Sequence, residues 1–407
     1  MSNVFRRAFD ALLGRGDAAV TVPPMDGALQ PDTRIDEAGL MAELRAPDNL
    51  VWLGGRLLCS SGGEVLVLGG ADVAPRGNPV IAAGVALPSG HADIANAIHP
   101  HEAPNVYTRF DARIACLATF GDDTLVAGLD SGLLIVRGGP HDGRSIEGWG
   151  QGGKIHCPTA LLMLDADTLL VSEGSTQHGP ADWQHDLMEK NASGSVWRVD
   201  LRSGESICLA RGLAWPNGLL AVDDGRRVRV SESWRHRIIE LAADKPSTPQ
   251  EVLGDLPGYP GRMTPTSDGG AWLAVFAARS QLVELVLREH GFRRDMMREI
   301  AREHWICPSL SSKNSHLEPL QRGGLKQMGI LKPWAPTRSY GLVVRLDSDG
   351  NPLASRHSRA DGRRHGVTSV LQAGDTVYLA SQGGDAVLAL PASNLPASRL
   401  PASRLPT

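Results

Sequence analysis

The chain has 407 residues, of which 42% are hydrophobic and 21% charged, and a formal net charge of -4. This is an ordinary globular composition with enough apolar residues to bury a sizeable core. It lacks the basic excess of a nucleic-acid surface, and no run of about 18 apolar residues marks a membrane span.

Residues 1–45 precede any strand pattern. In "MSNVFRRAFDALLGRGD", Phe5, Phe9, Leu12 and Leu13 fall on one helical face. The stretch lacks the uninterrupted apolar centre of a secretory signal. An N-terminal helical extension docked on the main domain is expected, the alternative being a membrane-surface or targeting role.

From residue 46 the pattern changes. "NLVWLGGRLLCSSGGEVLVL" (49–68) is a set of apolar runs split by Gly-rich turns. "RIACLATFGDDTLVAGLDSGLLIVRG" (113–138) repeats the plan, as does "TALLMLDADTLLVSEGS" (159–175) leading into "GSVWRVDLRSGE" (194–205). Next come "GLLAVDDGRRVRVSESWRHRIIEL", "MTPTSDGGAWLAVFA" and "VTSVLQAGDTVYLASQGGDAVLAL". Each is a hairpin signal, and hairpins in series mean small twisted sheets that must cover one another's apolar faces. The expected fold is all-β, a six-bladed β-propeller over residues 46–391. Its blades centre near Leu57, Val126, Leu170, Val230, Trp272 and Tyr378, with 339–353 an outlying strand pair of the fifth or sixth blade. Residues 280–336 read as an inserted helical and loop lid. Within it Phe292, Met296, Met297, Ile300, Ala301 and Trp305 recur at helical spacing, which predicts an amphipathic helix lying on the blades. The repeat "ASNLPASRLPASRLPT" (392–407) has no period that could pack and reads as a disordered tail.

Five cysteines, Cys59, Cys116, Cys157, Cys208 and Cys307, are scattered without a C-x-x-C pair. They read as reduced, mostly buried thiols of a cytoplasmic protein.

The stretch "WPNGLLAVDDGRRVRVSESWRHRIIEL" resembles the Pro-Asn-Gly blade of strictosidine synthase-like proteins, which group with gluconolactonase (senescence marker protein) and paraoxonase propellers. "LPGYPGRMTPTSDGGAWLA" and "HGVTSVLQAGDTVYLAS" resemble the next and the final blade segments. The resemblance implies a site at one mouth of the central channel, where many relatives hold calcium. Asn217 matches the family's Asn ligand, and Asp48 falls where an acidic ligand often opens the first blade. If calcium is retained, Asn217 and Asp48 are its expected metal ligands, since calcium takes several hard oxygens. The pattern then departs. Gly261-Arg262 stands where Asp-Asn is usual, and Thr159 where an Asn is expected. A guanidinium within about 4 Å of a divalent ion repels it strongly. Loss or severe weakening of the calcium site is favoured, the alternative being that Glu173 or Asp130 has taken over. The final blade has no acidic residue between Gly366 and Gly374, which argues against Pictet–Spengler condensation.

His357 and His365 lie in "SRHSRADGRRHGVTSV", and a near-neutral imidazole can activate water. The loop 172–194 gathers His178, Asp182, His185 and Asp186 without a zinc spacing. Asn191 heads an N-x-S acceptor motif that matters only in a secreted protein. The expected function is a small-molecule hydrolase of lactonase or esterase type. His365 and Arg262 are its catalytic candidates, with Asn217, Asp48, Thr159, Glu173, Asp130 and His357 around an anionic, lactone or ester substrate. The alternative is a non-hydrolytic binding propeller, or an enzyme of different chemistry, that has lost its calcium. A protein-interaction scaffold is a third use of the fold.

Overall fold

A computed structural model describes residues 22–70, 104–150, 153–312 and 337–392, with the short pieces 318–319, 326–327 and 330–331. The expected helix over residues 5–13 and the tail from 393 onward lie outside these residues.

Six four-stranded antiparallel sheets form the propeller. Blade 1 is Pro47–Leu53, Arg56–Ser61, Glu64–Gly70 and Asn105–Arg109. Blade 2 is Ile114–Phe120, Thr124–Leu129, Leu134–Arg137 and Ser145–Ile146. Blade 3 is Pro158–Met163, Thr168–Glu173, Gly194–Asp200 and Ser206–Leu213. Blade 4 is Pro216–Val222, Arg227–Glu232, Arg237–Ala242 and Gln250–Leu253. Blade 5 is Gly258–Pro265, Ala271–Ala278, Gly341–Leu346 and Pro352–Ser358. Blade 6 is Val367–Ala373, Thr376–Ser381, Ala386–Pro391 and, from the other end of the chain, Gly39–Glu43. The six centres expected from sequence each fall on the second strand of a blade.

The uninterrupted apolar runs follow from this architecture. A strand turns alternate side chains to opposite faces, and in a blade both faces are covered. Leu57 packs toward blade 6 while Leu58 packs toward blade 2. Leu169 and Val171 face blade 2 and Leu170 faces blade 4. Trp272 and Ala274 meet blade 6 while Leu273 and Val275 meet blade 4. The first strand of each blade touches the first strand of the next, so these inner strands close a ring around the channel.

One boundary differs from the sequence reading, and the choice between the fifth and sixth blades for the pair near 339–353 falls to the fifth. Gly39–Glu43 is not part of an extension: it pairs antiparallel with Ala386–Ala389 and completes blade 6 as its outer strand. Residues 341–358 are the third and fourth strands of blade 5, with Leu273 opposite Val344. The insertion therefore splits blade 5 between its second and third strands.

That insertion carries two short helices, Gln281–Arg288 and His290–Glu299. The single helix expected from Phe292 to Trp305 thus starts earlier, stops at Glu299, and is joined to Trp305 through a one-turn segment, Arg302–His304. Phe292 and Ile300 are 54% and 46% exposed, so they do not belong to the packing face. Val283, Val286, Leu287, Met296, Trp305 and Cys307 do, against Tyr259 and Phe276 of blade 5 and Leu187 and Met188 of the helix Trp183–Glu189.

Candidate functional site

Every inner strand breaks its register at one end. The breaks fall between Pro47 and Leu50, Ile114 and Cys116, Pro158 and Ala160, Pro216 and Gly218, Pro260 and Met263, and Val367 and Ser369. A bulge leaves a residue out of the ladder and re-aims it. Here those residues include Asp48, Ala115, Thr159, Asn217, Arg262 and Thr368, one from each blade, and all line a single cavity of about 350 Å³. Trp183, Trp215, Phe276 and Leu310 complete its wall. The site is a ring of bulged residues at the channel mouth, roofed by the blade 3 loop and the insertion.

Arg262 dominates one half of the ring. Its Nη1 donates to Asp48 Oδ1 at 2.7 Å and to the Thr368 carbonyl at 3.1 Å. Its Nη2 donates to the Ala115 carbonyl at 2.6 Å and to Asp48 Oδ2 at 3.5 Å. One side chain of blade 5 thus ties blades 6, 1 and 2. Arg113 extends the network, with Nη2 3.9 Å from Asp48 Oδ2 and Nη1 3.4 Å from Asp130 Oδ2. Burial raises the Asp130 carboxyl above its ordinary pKa, with Arg113 opposing.

The other half is bonded differently. Thr159 donates to the carbonyls of Pro216 and Ser172, at 2.5 and 3.2 Å. The Asn217 carboxamide makes no hydrogen bond among the described residues, although it lines the cavity. Gly218 beside it sits at a close approach of blades 4 and 5: a Cβ there would collide with the Gly261 carbonyl oxygen and crowd Ser231 Oγ. That glycine is required by blade packing. Trp183 meets Phe276 edge-on at 5.6 Å, and Trp215 stacks on Trp234 at 5.1 Å.

Several candidates from sequence lie elsewhere. His365 is buried, with Nδ1 2.7 Å from Ser339 Oγ and Nε2 2.7 Å from the Arg359 carbonyl, and it is not among the cavity-lining residues. A general base must reach the water it activates, and this ring faces the wrong way. His357 lies in the outer strand of blade 5 between Tyr340 and Ser355. Burial, helped by Arg356, lowers its pKa to about 4. Glu173 accepts from the His156 amide, Trp149 and Ser195, and so binds blade 3 together outside the cavity. Asp130 touches the site only through Arg113.

The mouth loop 172–194 holds no metal cluster; among the described residues no group of three or more His, Cys, Asp or Glu could hold an ion. His178 pairs with Glu189, and Asp186 accepts from Trp234 and Asn191. Asp182 receives Arg302 of the insertion at 2.7 Å, while Arg302 also reaches Gln184 and the Ala181 carbonyl. This clasp joins the two roof elements. The residues at the mouth do not fit calcium either. The one carboxylate in the cavity lining, Asp48, and the Ala115 and Thr368 carbonyls already receive a guanidinium.

Sequence reasoning missed Arg113, Trp183, Trp215, Phe276 and Leu310. Arg113 and Trp215 had a signal, since each directly precedes an inner strand. Leu310 and Trp183 reach the site through packing of the insertion and the loop, which no local pattern encodes, and Phe276 comes from the second strand of blade 5, whose apolar run does not say which residue turns to the mouth.

No family model matches the chain. It is 25% identical over 195 residues to the adipocyte plasma membrane-associated protein of Danio rerio, covering 47% of this chain and 41% of that protein. It is 22% identical over 277 residues to the strictosidine synthase-like 6 protein of Arabidopsis thaliana, covering 67% of this chain and 66% of that protein. The chain thus spans less than half the length of the first of these relatives. A gluconolactonase structure from Xanthomonas campestris superposes with a TM-score of 0.48 at 13% identity, covering 91% of this chain and 99% of that one.

Proposed function

We propose that this six-bladed propeller, which has strictosidine synthase-like proteins among its curated relatives, binds a small, uncharged, partly apolar molecule at its channel mouth without a metal ion. The cavity itself supports this reading. Its volume of about 350 Å³ is at the small end of the range for ligand pockets. One wall is aromatic, from Trp183, Trp215 and Phe276, and suits a flat ring. The opposite floor carries Arg262 balanced by Asp48 and Arg113 paired with Asp130, so it offers little net charge to an anionic ligand. Asn217 presents an amide, unbonded among the described residues, that can both donate to a carbonyl and accept from a hydroxyl. No membrane-crossing helix occurs among the described residues.

Hydrolysis of a lactone or ester is the second reading, favoured by the position of Asp48. With a substrate carbonyl on Asn217, a water near Asp48 Oδ2 could lose its proton to that carboxylate as it attacks. The ring oxygen would leave with the proton that Asp48 took from the water, giving the hydroxy acid and restoring the carboxylate. His365 has no part in this scheme. The test is a panel of aromatic lactones and esters in excess EGTA, followed by tryptophan fluorescence and by acid release. Saturable quenching without turnover supports binding alone. Turnover lost in Asp48→Asn supports hydrolysis. Neither quenching nor turnover across the panel overturns both readings.

A further inference from the structure

The mouth has the oxygens of a cation site and a side chain in place of the cation. We propose that the Arg262 guanidinium is a built-in substitute for a central metal ion, holding the blades together and making the protein calcium-independent. The inference deepens the small-molecule reading but does not depend on a ligand being found.

The argument starts from the bulges. Breaking the ladder at Ala115 and Thr368 frees their carbonyls from strand pairing, and a buried carbonyl needs a donor or a cation. Asp48 adds a carboxylate that is 6% exposed, which is costly to bury unpaired. Three blades therefore aim oxygen at one point. A calcium ion would satisfy such a set by collecting six to eight oxygens, roughly. Arg262 satisfies it with N–H donors instead: each terminal nitrogen serves Asp48 and one carbonyl. The planar fork is always charged and spans separated acceptors in fixed directions. Nε is buried without a partner, so the side chain is placed by its two terminal nitrogens. With the guanidinium there, a divalent ion near Asp48 would meet like charge at close range.

Lysine could not do the same. Its ammonium is a compact point donor on a flexible stem and cannot span four contacts in one plane. The structure therefore demands arginine, whereas a surface salt bridge would accept either residue.

The experiment compares thermal unfolding in calcium chloride and in EGTA, with calcium binding followed by calorimetry. Wild type is expected to show the same Tm in both buffers and no calcium heat. Arg262→Asp is expected to lose several degrees in EGTA and to recover a measurable part in millimolar calcium, because the new carboxylate joins Asp48, Asn217 and the two carbonyls. Arg262→Lys should lose stability without calcium rescue. A wild type stabilised by calcium, or an Arg262→Gln protein as stable as wild type, overturns the proposal. If Arg262→Asp does not fold in either buffer, Asp48→Asn combined with Arg262→Gln decides. Recovery of stability relative to Arg262→Gln alone supports a cation matched to its carboxylate, and no recovery overturns it. These readouts need no ligand, so a failed ligand screen would leave them intact.

Discussion

The two halves of the mouth ring are built from the same bulged strands and do different things. In blades 5, 6, 1 and 2, one guanidinium takes up the Asp48 carboxylate and the Ala115 and Thr368 carbonyls that the bulges expose. In blades 3 and 4, Thr159 bonds locally, Asn217 stays unbonded among the described residues, and Trp183 and Trp215 supply apolar surface. The same backbone device yields an internal fastener on one side and an open ligand surface on the other. What decides is the side chain at the bulge: a long permanent cation reaches across to its neighbours, and a short amide cannot.

This division sets the expected order of mutational effects. Asp48→Ala strands a mostly buried guanidinium and should cost about 3 kcal/mol, the lower end for breaking a buried pair. Thr159→Ala, on the other half, removes one hydroxyl that bridges two carbonyls and should cost about 1 kcal/mol. Urea unfolding of both proteins checks the ranking. Equal losses would erase the proposed distinction between the halves.

Trp183→Ala should move binding more than stability. The ring is half-buried and meets Phe276 edge-on at 5.6 Å and Trp234 at 6.2 Å, so the stability loss should be about 1–2 kcal/mol. Quenching titrations with whichever aromatic lactone the panel selects should show at least a tenfold weaker affinity. If affinity is unchanged, the aromatic wall is not the ligand surface.

How far this was legible in the sequence follows the same physics. Leu57, Val126, Leu170, Val230, Trp272 and Tyr378 sit on second strands because a strand covered on both faces must be apolar throughout, and tight turns bracket it. Gly39–Glu43 escaped notice because its partner, Ala386–Ala389, lies at the far end of the chain and a five-residue strand carries little pattern of its own. The insertion misled in the other direction. Phe292 and Met296 have helical spacing, yet a spacing does not say which side meets the blades, and Phe292 faces out. At the site, Asp48, Thr159, Asn217 and Arg262 were legible through the resemblance to strictosidine synthase-like blades. Ala115 was silent because it contributes only a carbonyl. His365 looked chemical by residue type, and sequence cannot tell that Ser339 and Arg359 claim its ring.

The roof over the open half should respond to pH where the fastened half does not. His185 lies on the helix Trp183–Glu189, edge-on to Trp305 at 4.6 Å. Burial lowers its pKa below 6.5, and Arg302 adds to this; Asp182 and Glu189 oppose, while His178 acts in the same direction as Arg302. A folded-state pKa below the unfolded value means that the stabilising contribution is complete above about 6.5 and is lost as pH falls through that value toward the lowered one. Hydrogen-exchange protection in 181–189, corrected for the intrinsic rate at each pH, should therefore fall between pH 7 and 5 more than protection in the inner strands of blades 1 and 2. His185→Gln should flatten that dependence. Arg302→Ala, which opens the clasp to Asp182, should raise roof exchange at every pH and cost about 1 kcal/mol or less, as a largely exposed pair.

The smallest effect on stability is expected at Asn217, and it is the most informative about function. Pro216 fixes φ at the strand entry and Gly218 lets blade 4 close on Gly261, so the backbone holds the intervening bulge without help from the Asn217 side chain. Nothing among the described residues bonds its amide, so Asn217→Ala breaks no internal contact and should stay within about 0.5 kcal/mol of wild type. A ligand carbonyl or hydroxyl on that amide would lose one hydrogen bond, about 1 kcal/mol, or several-fold in affinity. Asn217→Asp sharpens the point. It places a carboxylate across the cavity from Asp48, beside a guanidinium already committed, and should weaken a neutral ligand with a carbonyl more than alanine does, because an acceptor replaces a donor. If both variants bind as wild type does, the ligand does not touch blade 4, and the open half of the ring is open for some other reason.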